Sequence, residues 1–103
     1  MSRPLQIVVL LKIREPGAFH EFETHANQIM ARHSGRIVSA FKPENELSSD
    51  SDVHEVHILE FQSREDFLSY RSDPELFALA ELRERAISAT HLFTAGEYVS
   101  YEL

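Results

Sequence analysis

The chain contains no cysteine and no tryptophan, and it has only three glycines and four prolines among 103 residues. The lack of cysteine excludes disulfides, thiol nucleophiles and cysteine-ligated zinc. Hydrophobic residues make up 43% of the chain, and with so little glycine and proline this composition is typical of a globular protein rather than a disordered one. The length predicts a single domain covering residues 1–103.

Positive charge is also scarce. Ten Lys and Arg residues against seventeen Asp and Glu residues give a net charge of −7, which would repel a phosphate backbone, so nucleic acid is not an expected partner. No apolar run approaches the roughly 20 residues that span a bilayer, and the apolar N-terminal stretch has no small-residue cleavage site after it. These absences predict a cytoplasmic protein without a membrane partner.

The first half of the chain predicts strand, helix and strand. Leu5 to Ile13 is rich in β-branched residues and places alternate apolar side chains on one face. A helix is predicted from Pro16 to Ser34, ended by Gly35 in the left-handed conformation of a C-cap. Arg36 to Phe41 predicts a second strand.

The second half is organised around the stretch from Val53 to Ile87. It begins as a strand that ends at Phe61, and Ser63 has the position of an N-cap for a helix starting at about Arg64. Pro74 interrupts this helix, and Asp73 is placed to cap its continuation. The continuation has an apolar stripe at helical spacing, formed by Leu76, Leu79, Leu82, Ala86 and Ile87.

The remaining segments complete the predicted topology. Lys42 to Asp52 is polar and turn-rich, which indicates an exposed loop between neighbouring antiparallel strands. His91 to Ala95 predicts a further strand, Gly96 a bulge, and Tyr98 to Leu103 a continuation. The order β-α-β-β-α-β predicts an α+β, ferredoxin-like fold with a four-stranded antiparallel sheet and its helices on one face.

Helices on one face leave the other face of the sheet uncovered. Val8 and Leu10 in the first strand and Val56 and Ile58 in the third are predicted to lie on that uncovered face. An apolar patch of this kind usually marks an interface. The sequence therefore predicts a homodimer in which the two sheets pack face to face.

Several short motifs resemble a known family. Glu60-Phe61, Ser63-Arg64-Glu65, Pro74-Glu75 and Leu82-Arg83 resemble the small, functionally uncharacterised bacterial family of dimeric α+β barrels, which is related to antibiotic-biosynthesis monooxygenase and stress-responsive barrel proteins. The resemblance implies two ferredoxin-like subunits packed sheet to sheet, with a cavity beside each sheet. Haem-degrading members of the wider group would be expected to use a tryptophan, which this chain lacks.

Four residues are candidates for binding a ligand in such a cavity. His54 and Glu60 are predicted to share the uncovered sheet face, and Arg83 follows Leu82 in a largely apolar helix. The guanidinium of Arg83 suits a carboxylate or enolate ligand because it stays protonated and donates two hydrogen bonds. Tyr70 offers a hydroxyl and a ring face. Structural roles in positioning backbone or in packing are the alternative for each.

The histidine spacings do not predict a metal site. His54 and His57 are three residues apart in a strand and point to opposite faces, and His20 and His25 diverge on the helix. His33 is expected to cap the first helix, and His57 to be a partly buried core histidine. Neither a metal nor another cofactor is predicted.

Three functions remain open from the sequence. The first is a binding protein for a small acidic or planar metabolite. The second is a cofactor-independent enzyme resembling monooxygenases or isomerases, in which His54 or Glu60 moves a proton. The third is an interaction module whose cavity is filled by side chains.

Overall fold

The computed structural model describes residues 3–49 and 52–101. Within these residues the elements are, in chain order, β1 (Leu5–Ile13), α1 (Pro16–Arg32), β2 (Gly35–Phe41), β3 (Glu55–Phe61), α2 (Arg64–Arg71), α3 (Pro74–Phe77), α4 (Ala80–Ala86) and β4 (Ile87–Thr94). The four strands form one sheet in the order β2-β3-β1-β4, and every neighbouring pair is antiparallel. The predicted α+β, ferredoxin-like topology is therefore confirmed, and so is the interruption before Pro74, with the predicted continuation divided into α3 and α4.

The alternation of side chains along β1 decides which face of the sheet carries the core. Ile7, Val9 and Leu11 are buried and pack with apolar residues of α1, whereas Val8 on the opposite face is 37% exposed. The same alternation buries Leu59 and Phe61 in β3 on the helix side. The core thus lies between the helices and one face of the sheet, as the periodicity predicted.

The turn after α1 differs from the prediction. Ser34, with φ of 58°, takes the left-handed conformation, and Gly35 is the first residue of β2 with no positive φ. Gly35 is required for a different reason: a Cβ atom there would overlap the Phe61 ring and lie 2.6 Å from Met30 Cγ. Gly35 therefore allows close packing against Phe61 and Met30, and Ser34 is the residue that adopts the left-handed conformation.

Both predicted helix caps are confirmed. The Ser63 hydroxyl accepts from the Asp66 N–H at 3.1 Å at the start of α2. Asp73 Oδ1 accepts from the Glu75 N–H at 2.8 Å at the start of α3, which has Pro74 at its first position. These caps satisfy backbone donors that have no partner within a helix.

The last strand begins earlier than predicted. Ile87, assigned from its spacing to a helical stripe, is the first residue of β4 and pairs with Ile13 beyond a register shift that leaves Ser88 of β4 without a partner residue in β1. An apolar β-branched residue at this position fits the end of a helical stripe as well as the start of a strand. Pairing with β1 places Ile87 in the strand.

The structure also corrects the segments outside the strands. Gly96 and Tyr98 to Tyr101 lie after β4 and form no strand, and the rest of that predicted strand lies outside the described residues. The Tyr98 hydroxyl instead donates to the Pro4 carbonyl and accepts from the Gln6 N–H. The loop from Lys42 is confirmed as irregular over its described part, and residues 50 and 51 lie outside it.

Candidate functional site

A cavity of about 410 Å³ lies between the sheet and the helices. Its apolar lining comes from all layers of the core: Val9, Leu11, Phe22, Ala26, Met30, Leu59, Phe67, Leu76, Ile87 and Leu92. The polar lining residues are Glu23, His57, Tyr70, Arg71, Arg83 and Thr90. A cavity of a few hundred cubic ångströms with an apolar wall and a few convergent polar groups is the usual form of a small-molecule site.

Three titratable side chains meet beside this cavity, and two of them, Glu23 and His57, form part of its wall. His57 is 5% exposed and donates through Nε2 to Glu55 Oε2 at 2.6 Å. Its other ring nitrogen, Nδ1, lies 3.9 Å from Glu23 Oε2, which is beyond hydrogen-bonding distance. The Phe19 ring packs at a tilt against the imidazole, with ring centroids 6.1 Å apart. The histidine is therefore held between two carboxyl groups.

Burial raises the pKa of the Glu23 carboxyl above its ordinary value of 4.5; His57 opposes this rise and the Glu55 carboxylate adds to it. The physical cause is that removing a charged form from water is costly unless a partner compensates it. A buried carboxyl group of this kind holds its proton more tightly than an exposed one, and such groups are common at functional sites.

Tyr70 and Arg83 form the other polar part of the cavity. Burial raises the pKa of the Tyr70 hydroxyl to about 12, with the Glu23 charge adding to the rise and Arg83 opposing it. The Arg83 guanidinium donates to Thr90 Oγ1 at 3.2 Å, a single bond that leaves other N–H groups for a ligand. Together these groups offer an anion a fixed cation and a hydroxyl donor.

The four residues predicted from sequence do not meet in one site. Tyr70 and Arg83 line the same cavity, on the helix side of the sheet. Glu60 instead lines a small depression of about 270 Å³ with Arg3, Pro4, Gln6 and Tyr98, where the Arg36 guanidinium donates to it at 3.1 Å. Glu60 therefore belongs to a different surface from the other two.

His54 is also placed elsewhere. Its Nδ1 accepts from the Ile13 N–H at 2.9 Å, and its own N–H donates to the Leu11 carbonyl. The prediction that it shares a face with Glu60 assumed that the strand begins at Val53, whereas β3 begins at Glu55. Alternation of side chains holds only within the strand, so it does not extend to His54.

Two of the three residues in this cluster, Glu23 and Glu55, were not among the predicted site residues. Glu23 follows Phe19 by four residues and precedes Ala26 by three. This spacing places a carboxylate on the buried face of the helix. Glu55 precedes His57 by two residues and shares its strand face. Charged residues at apolar positions were the signal that would have identified both.

The burial predicted for His57 is confirmed. His33 does end α1, but its ring donates to Asp73 Oδ2 at 2.8 Å rather than to a helix carbonyl. Within the described part of the chain, no group of three or more His, Asp or Glu residues is arranged to hold a metal ion. No helix among residues 3–49 and 52–101 combines the length and apolar character that crossing a membrane requires.

Residues 6–96 match the model of a protein family described as Domain of unknown function (DUF1330). Among curated proteins, none matches the chain. A crystal structure of a protein of unknown function from Rhodopseudomonas palustris is similar, with a TM-score of 0.78 and 20% identity, over 94% of this chain and 84% of that one.

Two further solved structures extend the similarity. A dabb family protein with a ferredoxin-like fold from Mesorhizobium loti has a TM-score of 0.69 and 13% identity, over 93% of this chain and 98% of that one. SnoaB, a cofactor-independent oxygenase from Streptomyces nogalater, has a TM-score of 0.64 and 18% identity, over 97% of this chain and 100% of that one. At these identities the similarity establishes a shared fold, and the predicted relationship to this group of proteins is confirmed.

Proposed function

We propose that this chain, which belongs to the DUF1330 family of unknown function, binds a small acidic, planar metabolite in the cavity between its helices and sheet. The observation that carries the proposal is the placement of Arg83 and Tyr70 in the wall of an otherwise largely apolar cavity. Apolar walls favour a flat ring or chain, and a guanidinium beside them favours a carboxylate or enolate. The open volume of about 410 Å³ argues against a core filled by its own side chains.

The raised pKa of Glu23 agrees with an acidic ligand. Burial disfavours the charged form of Glu23, which limits its repulsion of an anion held at Arg83. Tyr70 makes no hydrogen bond to another residue among those described, so its hydroxyl is available as a donor. Each polar group of the cavity is therefore compatible with one negative charge on the ligand.

The proposal is tested by thermal-shift titration with benzoate and with benzamide, its neutral counterpart. Benzoate should raise the melting temperature of the wild type and of Arg85→Met, a control on the same helix, more than benzamide does, because a ligand of the folded state stabilises it. Arg83→Met should lose most of the benzoate shift. If Arg83→Met lowers the melting temperature equally with and without benzoate, Arg83 is a structural residue and the proposal fails.

A second candidate function is a cofactor-independent enzyme that moves a proton. The observation that favours it is the contact of His57 with Glu55 beside the buried Glu23 carboxyl, since an imidazole and carboxyl groups are the side chains that most often donate or accept protons in catalysis. The measurable outcome is deuterium incorporation into phenylacetone in heavy water. The wild type should accelerate exchange at the carbon next to the carbonyl, and Glu23→Gln should not. Equal rates with and without protein would remove this candidate.

The partner proposed for the uncovered sheet face is a second copy of the chain. Val8 pairs with Ile58 on one side and with Phe93 on the other, and Leu10 pairs with Val56, so these side chains form one continuous apolar patch. Phe41 extends the patch beside Val56 and is 48% exposed. If this patch packs against the same patch of a second subunit, the result is a twofold-symmetric interface to which both subunits contribute the same residues.

Sedimentation velocity at micromolar concentration tests this arrangement. The wild type and Ser69→Asp, a control on the exposed side of α2, should sediment as dimers. Ile58→Asp should dissociate the dimer or unfold the chain, since it puts a charge into an apolar contact. A wild type that sediments as a monomer would exclude the proposed interface.

A further inference from the structure

The cluster of Glu23, His57 and Glu55 forms the wall between two cavities. On one side is the ligand cavity of about 410 Å³, and on the other is a wider groove of about 970 Å³. Glu23 and His57 line both of them, whereas Glu55 lines the groove and not the cavity. The three side chains thus connect a largely apolar interior with a more open surface.

We propose that these three residues relay a proton between the ligand cavity and the groove, and that the ligand is a weak acid, such as a phenol or an enol, which loses its proton on binding. Glu23 exchanges the proton with the ligand, His57 passes it on, and Glu55 exchanges it with water in the groove. The choice of ligand class rests on the function proposed above, while the relay from His57 to Glu55 does not depend on it.

The proton balance of the relay is simple. The ligand O–H bond breaks and its proton joins the Glu23 carboxylate, leaving the ligand as an anion near Arg83. Glu23 then gives a proton to Nδ1 of neutral His57, and the resulting imidazolium releases the proton on Nε2 to Glu55. Glu55 passes that proton to water in the groove. One proton enters from the ligand and one leaves to solvent, and the reverse sequence returns it.

The geometry supports each transfer. His57 Nε2 and Glu55 Oε2 are 2.6 Å apart, which is a short hydrogen bond between a ring nitrogen and a carboxyl oxygen. Nδ1 of His57 and Oε2 of Glu23 are 3.9 Å apart, so this transfer requires the Glu23 side chain to rotate toward the ring. Phe19 packs against the imidazole and holds its plane.

The electrostatic surroundings also support the relay. An imidazolium between two carboxylates carries its charge where both neighbours stabilise it. The other charged or titratable groups beside the cluster are Tyr70, Arg71 and Arg83 in the cavity wall and His20, Lys42 and His54 in the groove wall. None of them makes a hydrogen bond to His57 among the described residues.

The first experiment needs no ligand. Exchange of the His57 Nε2 proton with water is measured by NMR in the wild type, in Glu55→Gln and in Glu21→Gln, an exposed control on α1. Glutamine keeps an oxygen that accepts the hydrogen bond but does not accept the proton. Exchange should therefore slow by at least about tenfold in Glu55→Gln and stay unchanged in Glu21→Gln. A purely structural Glu55 would leave the rate in Glu55→Gln at the control value, and that result overturns the relay.

The second experiment uses 4-nitrophenol, whose colour reports its ionisation. The wild type should bind it as the phenolate and release a proton to solvent, measured with a pH indicator in weak buffer. Glu23→Gln should bind it as the neutral phenol, and Glu55→Gln should bind the phenolate but release the proton at least about tenfold more slowly. Equal release in Glu55→Gln and Glu21→Gln overturns the relay.

The two experiments separate this inference from the function on which part of it rests. If the wild type binds neither benzoate nor 4-nitrophenol, the proposed ligand class fails, and the exchange rate of the His57 proton still decides the relay. If 4-nitrophenol binds as the neutral phenol to the wild type, ionisation on binding is excluded while the binding function stands.

Discussion

Two histidines in this molecule contact carboxylates at nearly the same distance, and their surroundings differ. His33 donates to Asp73 at 2.8 Å where α1 meets α3, and His57 donates to Glu55 at 2.6 Å beside the ligand cavity. The His33 side chain is 22% exposed and that of His57 is 7% exposed. The first pair is partly in contact with water, and the second is almost completely enclosed.

The carboxyl groups of the two clusters respond in opposite directions. The hydrogen bond from His33 and that from the Glu75 N–H lower the pKa of Asp73, whereas burial raises the pKa of Glu23. Both oxygens of Asp73 accept hydrogen bonds that hold α3 in place. Glu23 has His57 at 3.9 Å and no backbone donor among the described residues. A histidine and carboxylate pair is therefore a structural cap where the carboxylate also accepts a hydrogen bond from a backbone N–H. Where a neighbouring carboxyl group is buried without enough hydrogen-bond donors, the pair is a candidate catalytic site.

The largest effect expected from this comparison is the loss of the buried histidine. His57→Ala leaves the Glu55 carboxylate without its hydrogen-bond donor and the Glu23 carboxyl without the neighbouring imidazole, which should cost about 3 kcal/mol of the free energy of unfolding. His33→Ala should cost clearly less, because water reaches Asp73 and exposed ion pairs contribute little. Urea denaturation of both variants at neutral pH gives the two values. Equal losses would mean that burial does not distinguish the clusters.

The same comparison shows which features of the fold and of the candidate site could be predicted from the sequence. The alternation in β1 and the caps at Ser63 and Asp73 depend on neighbours in the chain, and these predictions were confirmed. The cluster of Glu23, His57 and Glu55 depends on α1 crossing β3, a tertiary contact that no local pattern specifies. The buried spacing of Glu23 was visible, but a single polar residue on an apolar stripe did not identify its partners.

The pH dependence of stability should have opposite signs at the two clusters. The folded protein binds a proton at Glu23 more tightly than the unfolded chain does, so this group stabilises the fold most below its ordinary pKa of 4.5, and the contribution is lost as the pH rises through the raised value. Asp73 contributes above its ordinary 3.8, and its contribution is lost as the pH falls through its lowered value.

Urea unfolding of two variants over a pH series tests these signs. Glu23→Gln should remove the fall in stability with rising pH and leave the loss in acid, while Asp73→Asn should do the reverse. If both variants flatten the same part of the curve, the two carboxyl groups do not differ in the way that their surroundings predict.

The smallest effect on stability is expected at Tyr70, where the comparison extends from carboxyl groups to hydroxyls. The Tyr98 hydroxyl bonds to Pro4 and Gln6, whereas the Tyr70 hydroxyl bonds to no other described residue and faces the cavity. Tyr70→Phe should leave the urea midpoint nearly unchanged and weaken benzoate binding by roughly five- to tenfold, the value of one hydrogen bond. Tyr98→Phe should lower the midpoint and leave benzoate binding unchanged. If Tyr70→Phe lowers stability without affecting benzoate, its hydroxyl serves the fold, and the cavity is left with Arg83 as its group for binding an anion.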